Sequence, residues 1–126
     1  SIEYLGIIYL GELGMDKIYI GAGSNLLILG LINKKDCYGY EIIRDLEILS
    51  ENTFQFKEGT LYPILHKFES LGFVTSYFKR ENNKERKYYR ITDKGRKQLI
   101  SEKESFELFK EKMDQVVGTF NYEFNL

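Results

Sequence analysis

Residues 58–69 read EGTLYPILHKFE, and this stretch decides the fold. Apolar residues recur along it at the spacing of one helical face: Leu61, Ile64, Leu65 and Phe68. The opposite face carries side chains that hydrogen-bond or pair with anions, namely Thr60, Tyr62, His66 and Lys67. Pro63 fits a helix in its first turn, where backbone N–H groups have no partner to lose, so we expect the helix to begin just before it. The stretch predicts a short helix that presents its first turn outward, as a DNA-recognition helix requires.

The composition is that of an ordinary globular domain. The 126 residues are enough for one core, with 43% hydrophobic and 29% charged residues. The one cysteine, Cys37, excludes an intramolecular disulfide and agrees with a reducing cytoplasm. The longest apolar run, residues 26–32, is too short to cross a bilayer, so we expect a cytoplasmic protein without a membrane span.

The net charge of −1 conceals an uneven distribution. Residues 79–97 hold nine Lys or Arg and three acidic residues, which leaves nine basic and sixteen acidic residues in the rest of the chain. A solvated charged hairpin would explain such a run by itself. Because the run lies beside the helix of residues 58–69, we favour a surface that faces phosphate groups.

The first fourteen residues differ from the rest of the chain. They are partly strand-like, contain no basic residue and end just before Met15. One hypothesis makes Met15 the natural start and residues 1–14 a translated leader, and the other makes them an extra strand or arm. A signal peptide is excluded, since the basic segment and the cleavage site are lacking.

Helices are predicted next along the chain. Residues 26–33, capped by Ser24 or Asn25, are apolar nearly all round and indicate a buried helix. Residues 38–50 show helical apolar spacing, and residues 51–57 connect them to the helix described above. That helix is expected to end at Gly72, a natural left-handed cap position.

The pattern then changes to strands. Residues 73–78 and 87–91 are rich in aromatic and β-branched residues, and the polar residues 79–86 between them predict a hairpin loop. Thr92 is expected to cap a last helix that runs to Val117 and stops at Gly118. The fold class is therefore mainly α with a small β-hairpin: a winged helix-turn-helix over residues 15–92, a long dimerisation helix over residues 93–118, and an unassigned tail over residues 119–126.

The last helix carries an apolar stripe, here called the C-terminal stripe. Its members follow one another at intervals of seven, three, four, three and four residues: Leu99, Phe106, Phe109, Met113, Val116 and Phe120. So small a domain cannot cover a stripe of this length, and a two-fold partner helix explains it best. We therefore expect a homodimer.

Three segments resemble the PadR family of transcriptional regulators: residues 38–42 (YGYEI), residues 58–65 (EGTLYPIL) and residues 87–95 (KYYRITDKG). They occur in the order and spacing of that family, and the resemblance covers roughly residues 23–118. With its single C-terminal helix, the chain resembles the short subfamily of PadR proteins. The resemblance implies a homodimeric repressor that binds a partly palindromic operator in double-stranded DNA. It also implies release by a small aromatic or lipophilic effector.

The candidate DNA contacts fall into two groups. On the helix, Thr60 and Tyr62 are expected to contact a groove or phosphates. His66 either contacts DNA or is simply exposed to solvent. Lys57 and Lys67 are the expected partners of phosphates. The resemblance assigns Tyr38 a hydroxyl contact to phosphate, whereas Tyr38 and Tyr40 could both be core residues. In the hairpin, the expected contacts to the minor groove or its phosphates are Lys84, Arg86 and Lys87, against a merely solvated tip.

Two further features, Gly59 and the C-terminal stripe, leave alternatives open. Gly59 allows either a close approach to DNA or an unusual backbone dihedral. The C-terminal stripe is first an interface, and the resemblance adds a cavity in which an effector stacks on Phe or Tyr, since the chain has no tryptophan.

The sequence predicts a dimeric DNA-binding regulator, and the alternative is a winged-helix module for protein interaction. An enzyme is not expected, because the chain shows no glycine-rich phosphate loop, no nucleophile with its base and no cluster of metal ligands. We expect neither a cofactor nor a metal.

Overall fold

The computed structural model describes residues 7–9, 18–20 and 23–118, the first two ranges by their backbone alone. The helices are α1 (Ser24–Lys34), α2 (Gly39–Leu49), α3 (Glu58–Ser70) and α4 (Asp93–Val117). The strands are β1 (Ile7–Tyr9), β2 (Ile18–Ile20), β3 (Cys37–Tyr38), β4 (Phe54–Gln55), β5 (Val74–Glu81) and β6 (Lys84–Ile91). The predicted class, mainly helical with a β-hairpin and a long last helix, is confirmed.

The core lies where α1, α2 and α3 meet. Helix α1 buries side chains on several sides, among them Ile28, Leu29 and Ile32, as its continuous apolar sequence predicts. Its N-cap is Gly23, and not Ser24 or Asn25 as expected, because Ser24 is itself buried in the first turn. Helix α2 is amphipathic and buries Ile42 and Leu46.

Helix α3 begins five residues before Pro63, so the expectation that it starts just before the proline is wrong. Pro63 has no N–H to donate to the Gly59 carbonyl, and one helical hydrogen bond is therefore missing. The helix continues through this position because Leu61 and Leu65, on either side of the proline, are both fully buried. Tertiary packing here outweighs the local preference against proline.

The end of α3 is a Schellman turn. The Phe73 N–H donates to the Phe68 carbonyl at 2.9 Å, and the Gly72 N–H donates to the Glu69 carbonyl at 3.1 Å. Gly72 has a φ of 79°, as predicted for its left-handed cap position. The predicted end of α3 at Gly72 is therefore confirmed.

The start of α4 is fastened to this turn. Thr92 caps α4 as predicted, since its Oγ1 accepts from the Gly95 N–H at 3.0 Å, and the same hydroxyl donates to the Gly72 carbonyl at 2.6 Å. A Cβ on Gly95 would lie 2.0 Å from the Phe73 carbonyl oxygen. Only glycine therefore allows α4 to approach the turn this closely.

One of the two sheets has the strand order β3-β6-β5, and its β5–β6 hairpin is here called the wing. The predicted hairpin is confirmed, but its strands are longer than expected, because both continue through residues 79–86 to a turn of two residues, Asn82 and Asn83. These have φ of 49° and 63°, the left-handed pair of a type I′ turn, which asparagine tolerates. Lys84 and Arg86 accordingly lie on a strand.

The wing has two distinct faces, since side chains alternate along each strand. The inner face carries Val74, Tyr89 and Ile91 into the core, and further out it carries Ser76 and Lys87. The outer face carries Tyr77 and Tyr88, which are paired across the strands, and Lys79 opposite Arg86. Strand β3 was not predicted, and it adds Tyr38 to the outer face opposite Tyr88.

Another sheet, of order β1-β2-β4, joins the N-terminal region to the connector that precedes α3. Strand β1 pairs with β2 in antiparallel fashion, and β2 pairs with β4 in parallel. Met15 and the tail over residues 119–126 lie outside the described residues, and so does Phe120. The two hypotheses for residues 1–14 stay open.

Candidate nucleic-acid interface

The polar face of α3 is exposed to solvent. Thr60, Tyr62, His66 and Lys67 lie on it, while Leu61, Leu65 and Phe68 face the core. The N-cap, Lys57, provides no side-chain cap, and its carbonyl accepts from both Thr60 and Leu61 N–H groups at 3.0 Å. The N–H groups of the first turn point outward with the positive end of the helix dipole, which suits an anionic ligand.

Tyr62 lies between this surface and the start of α2. Its side chain is 36% exposed, and its ring rests against Gly39 so closely that a Cβ there would lie 2.6 Å from the hydroxyl oxygen. One edge of the ring is therefore held by α2 while the other meets solvent. Tyr62 is thus exposed as expected, with one edge of its ring covered by α2.

Gly59 has no strained backbone. It is not among the described glycines with positive φ, and a Cβ on it would meet nothing within 4 Å. An unusual dihedral is thereby eliminated as the reason for this glycine. Its position on the open first turn of α3 leaves space beside the backbone.

Arg86 is held on the outer face of the wing by an aromatic ring. Its guanidinium carbon lies 4.3 Å from the centre of the Tyr38 ring, and that ring packs edge-on against Tyr88 at 5.3 Å. A cation over a ring keeps its full charge, whereas one beside a carboxylate is neutralised. The structure thus brings together two residues, Tyr38 and Arg86, that the sequence places far apart.

Two other cations of the outer face, Arg90 and Lys79, are paired with acids. Arg90 contacts Asp36 at 2.9 Å, and Lys79 contacts Glu81 at 3.0 Å. Burial favours the neutral form of Asp36, but hydrogen bonds from Tyr77 and Arg90 outweigh it and lower the pKa of Asp36. A hydrogen bond from the Tyr88 hydroxyl is the main reason that the pKa of Glu81 is lowered as well.

The inner face places Lys87 against α3. Its ammonium lies 3.4 Å from Glu69 Oε1 and 5.5 Å from the centre of the Tyr89 ring. Lys84, by contrast, follows the turn at the exposed wing tip. Of the three hairpin cations predicted to contact DNA, Lys84 and Arg86 form no salt bridge among the described residues, whereas Lys87 is ion-paired with Glu69.

Sequence reasoning missed two residues of this surface. Arg80 is exposed near the wing tip opposite Glu85, and Glu69 links α3 to the wing. Reading residues 79–81 as strand would have placed Arg80 on the inner face by alternation. The sequence holds no signal for the Glu69 contact, which depends on how the wing folds back onto α3.

The C-terminal stripe divides into two parts. Leu99 is partly buried against the core, and the side chains beyond it are exposed: Phe106, Phe109, Met113 and Val116. Phe120, the last predicted member, lies outside the described residues. Four large apolar side chains thus remain uncovered along about three turns of α4.

Two kinds of site are not found in the part of the chain that the structure describes. No three acidic, histidine or cysteine side chains are grouped so that they could hold a metal ion. None of the described helices is long and apolar enough to span a membrane.

This arrangement of three helices, a wing and a long last helix defines a winged helix-turn-helix protein. Residues 28–101 match the family described as the transcriptional regulator PadR-like family. A transcriptional regulator from Clostridium thermocellum has a similar structure, with a TM-score of 0.72 and 35% identity over 76% of this chain and 94% of that one. A PadR family transcription regulator from Clostridium difficile gives a TM-score of 0.65 and 35% identity over 76% of this chain and 99% of the other.

Sequence relatives agree with this assignment. An uncharacterized protein of Lysinibacillus sphaericus is 38% identical over 96 residues, which are 70% of this chain and 88% of the relative. The transcriptional regulator YqjI of Escherichia coli is 27% identical over 101 residues, and the match spans only 47% of its length. The chain belongs to the PadR-like family of transcriptional regulators.

Proposed function

We propose that the chain is a homodimeric repressor that binds double-stranded operator DNA through α3 and the wing. The observation that carries this proposal is the exposed polar face of α3, which lies next to a basic wing fastened to the end of the same helix. A recognition helix in one groove and a wing on the neighbouring backbone require this combination. The binding unit comprises residues 15–92, and residues 93–118 form the dimerisation helix.

Residue roles follow from exposure and charge. Thr60, Tyr62 and His66 contact a groove or its phosphates from α3, and Lys57 and Lys67 contact phosphates beside it. Arg86 and Lys84 place positive charge on the backbone next to the minor groove, with Tyr38 supporting Arg86. Lys87 contributes to the basic surface from its place beside Glu69.

The partner for α4 is a second copy of the chain. Uncovered apolar side chains at heptad-like spacing are the usual mark of a helix that packs on its symmetry mate. Two-fold symmetry in the protein would place the two α3 helices on the two halves of a palindromic operator.

A small aromatic or lipophilic effector fits the same interface. Phe106 and Phe109 are exposed on α4 and offer ring faces for stacking near the two-fold axis. Binding there would change how the two α3 helices are spaced and so release the operator. A repressor of this kind acts on chromosomal DNA and therefore in the cytoplasm.

The proposal is tested by titrating the protein against a labelled duplex from the promoter upstream of its own gene. We expect tighter binding to this duplex than to a scrambled one of equal length, and an affinity that falls steeply with salt. Planar aromatic compounds are then screened for release. Binding to neither duplex at low salt would contradict the proposal and favour the protein-interaction module.

A further inference from the structure

The carboxylate of Glu69 joins α3 to both strands of the wing. Glu69 Oε2 accepts a hydrogen bond from the Ser76 hydroxyl of β5, and Oε1 lies 3.4 Å from the Lys87 ammonium of β6. Glu69 is in the last turn of α3, with its side chain 35% exposed. One side chain therefore fastens the helix to the hairpin at two points.

The two contacts lie on the same face of the wing. Ser76 pairs with Tyr89, and Lys87 is two residues from Tyr89 on β6, so Ser76 and Lys87 are diagonal neighbours. A carboxylate that holds both of them restricts the rotation of the wing about its own axis as well as its distance from α3. The base of the wing is already held by Val74, Tyr89 and Ile91 in the core, so this restraint acts on the part of the wing beyond them.

The carboxylate of Glu69 is kept in its charged form. The hydrogen bond from Ser76 is the largest cause that lowers the pKa of Glu69, burial opposes it, and the charges of Lys87 and His66 lower the pKa further. Lys87 is thereby engaged by Glu69 at neutral pH. Its ammonium thereby helps to set the position of the wing.

We propose that Glu69 is a positioning residue that fixes the wing relative to α3 and thereby sets the preference for the operator. This inference rests on the proposed function, in which both elements contact one duplex. Preference depends on simultaneous contacts at a fixed spacing, whereas non-specific affinity depends mainly on the number of cations. A loosened wing would keep the non-specific affinity and lose the preference for the operator.

The test compares Glu69→Gln with Glu85→Gln. Glu85 is exposed on the inner face of β6, has no ion pair or hydrogen bond among the described residues, and its replacement changes the charge equally. We expect Glu69→Gln to reduce the ratio of promoter to scrambled-duplex affinity about tenfold, with unchanged salt dependence on the scrambled duplex. Glu85→Gln should keep the ratio within about twofold of wild type. Equal ratios in the two variants would overturn the inference.

A second measurement needs no DNA. Residual dipolar couplings of the amides in α3 and in the wing should fit one alignment frame in the wild type and two frames in Glu69→Gln. One common frame in both proteins would also overturn the inference. A wild type without preference for the promoter duplex would instead contradict the proposed function, and the couplings would still decide the role of Glu69.

Discussion

Gly39 and Tyr62 are packed so closely that the Tyr62 ring occupies the space that a side chain at position 39 would fill. A Cβ on Gly39 would lie 2.6 Å from the Tyr62 hydroxyl oxygen and 2.8 Å from two of the ring carbons. Gly39 is the first residue of α2, and Tyr62 lies on α3. The contact therefore joins the two helices of the helix-turn-helix and holds the hydroxyl end of the tyrosine against the start of α2.

Gly39→Ala should displace Tyr62 and weaken operator binding about tenfold, or about 1.4 kcal/mol. The fold should survive, because the displaced atoms are the end of a partly exposed side chain. Duplex titration together with circular dichroism would measure both effects. Gly30→Ala is the matched control, since a Cβ at Gly30 meets nothing within 4 Å. Unchanged affinity in Gly39→Ala would mean that the position of Tyr62 is irrelevant to DNA.

Gly59→Ala should separate stability from binding. With no positive φ and open space around it, the new methyl group should stabilise α3 by up to about 1 kcal/mol. The same methyl group should hinder the close approach of a phosphate backbone, so operator affinity should fall. Thermal unfolding and duplex titration give the two quantities. A stabilised variant that binds as tightly as wild type would show that DNA does not approach this glycine.

Most helices of the fold could be predicted because their signals are local. The apolar spacing of α2, the Thr92 cap and the Gly72 stop each act within one or two turns. The start of α3 could not be predicted from Pro63, since burial of Leu61 and Leu65 is a tertiary effect. Similarly, the wing strands are longer than their apolar cores because cross-strand pairing carries charged residues up to a two-residue turn.

The candidate site was predictable as a set of residues but not as a set of partnerships. Exposure of Thr60, His66 and Lys67 follows from helical periodicity alone. Whether a cation is neutralised depends on contacts distant in sequence, such as Arg90 with Asp36 or Lys87 with Glu69. Charge counting therefore gave a basic wing without showing which of its cations remain available.

Arg86→Ala should weaken binding to all duplexes about equally and flatten the salt dependence. Loss of one phosphate contact lowers the slope of log affinity against log salt by about 0.9. Lys79→Ala is the control, because Lys79 pairs with Arg86 across the strands but is neutralised by Glu81 at 3.0 Å. It should change the slope much less. Loss of affinity for the operator alone in Arg86→Ala would contradict a backbone role.

Phe109→Lys should convert the dimer to monomers, whereas Leu108→Lys should not. Both side chains are exposed on α4, at 37% and 54%, but only Phe109 belongs to the C-terminal stripe. In the proposed homodimer the two Phe109 side chains would be buried and would contribute roughly 3 kcal/mol or more to association, so the dissociation constant should rise at least a hundredfold. Sedimentation velocity over a range of concentrations measures this. Equal effects of the two substitutions would mean that the stripe is not the interface.

Asp36→Asn should destabilise the protein near neutral pH and much less in acid. Asp36 accepts from the Tyr77 hydroxyl at 2.6 Å and from Arg90 Nε at 3.0 Å, so it holds the outer face of the wing. The pKa of Asp36 is lowered in the folded state. The ionised carboxylate therefore stabilises the fold at pH values above its unfolded-state pKa of about 3.9. This stabilisation is lost as the pH falls through the lower pKa of the folded state. We expect a difference of about 1 kcal/mol in the free energy of unfolding at pH 7, since the site is partly exposed.

Urea unfolding at pH 7 and at pH 3 measures this difference at the two pH values, with Asp114→Asn on exposed α4 as control. A difference between wild type and Asp36→Asn that stays constant down to pH 3 would show that the charge of Asp36 does not stabilise the wing.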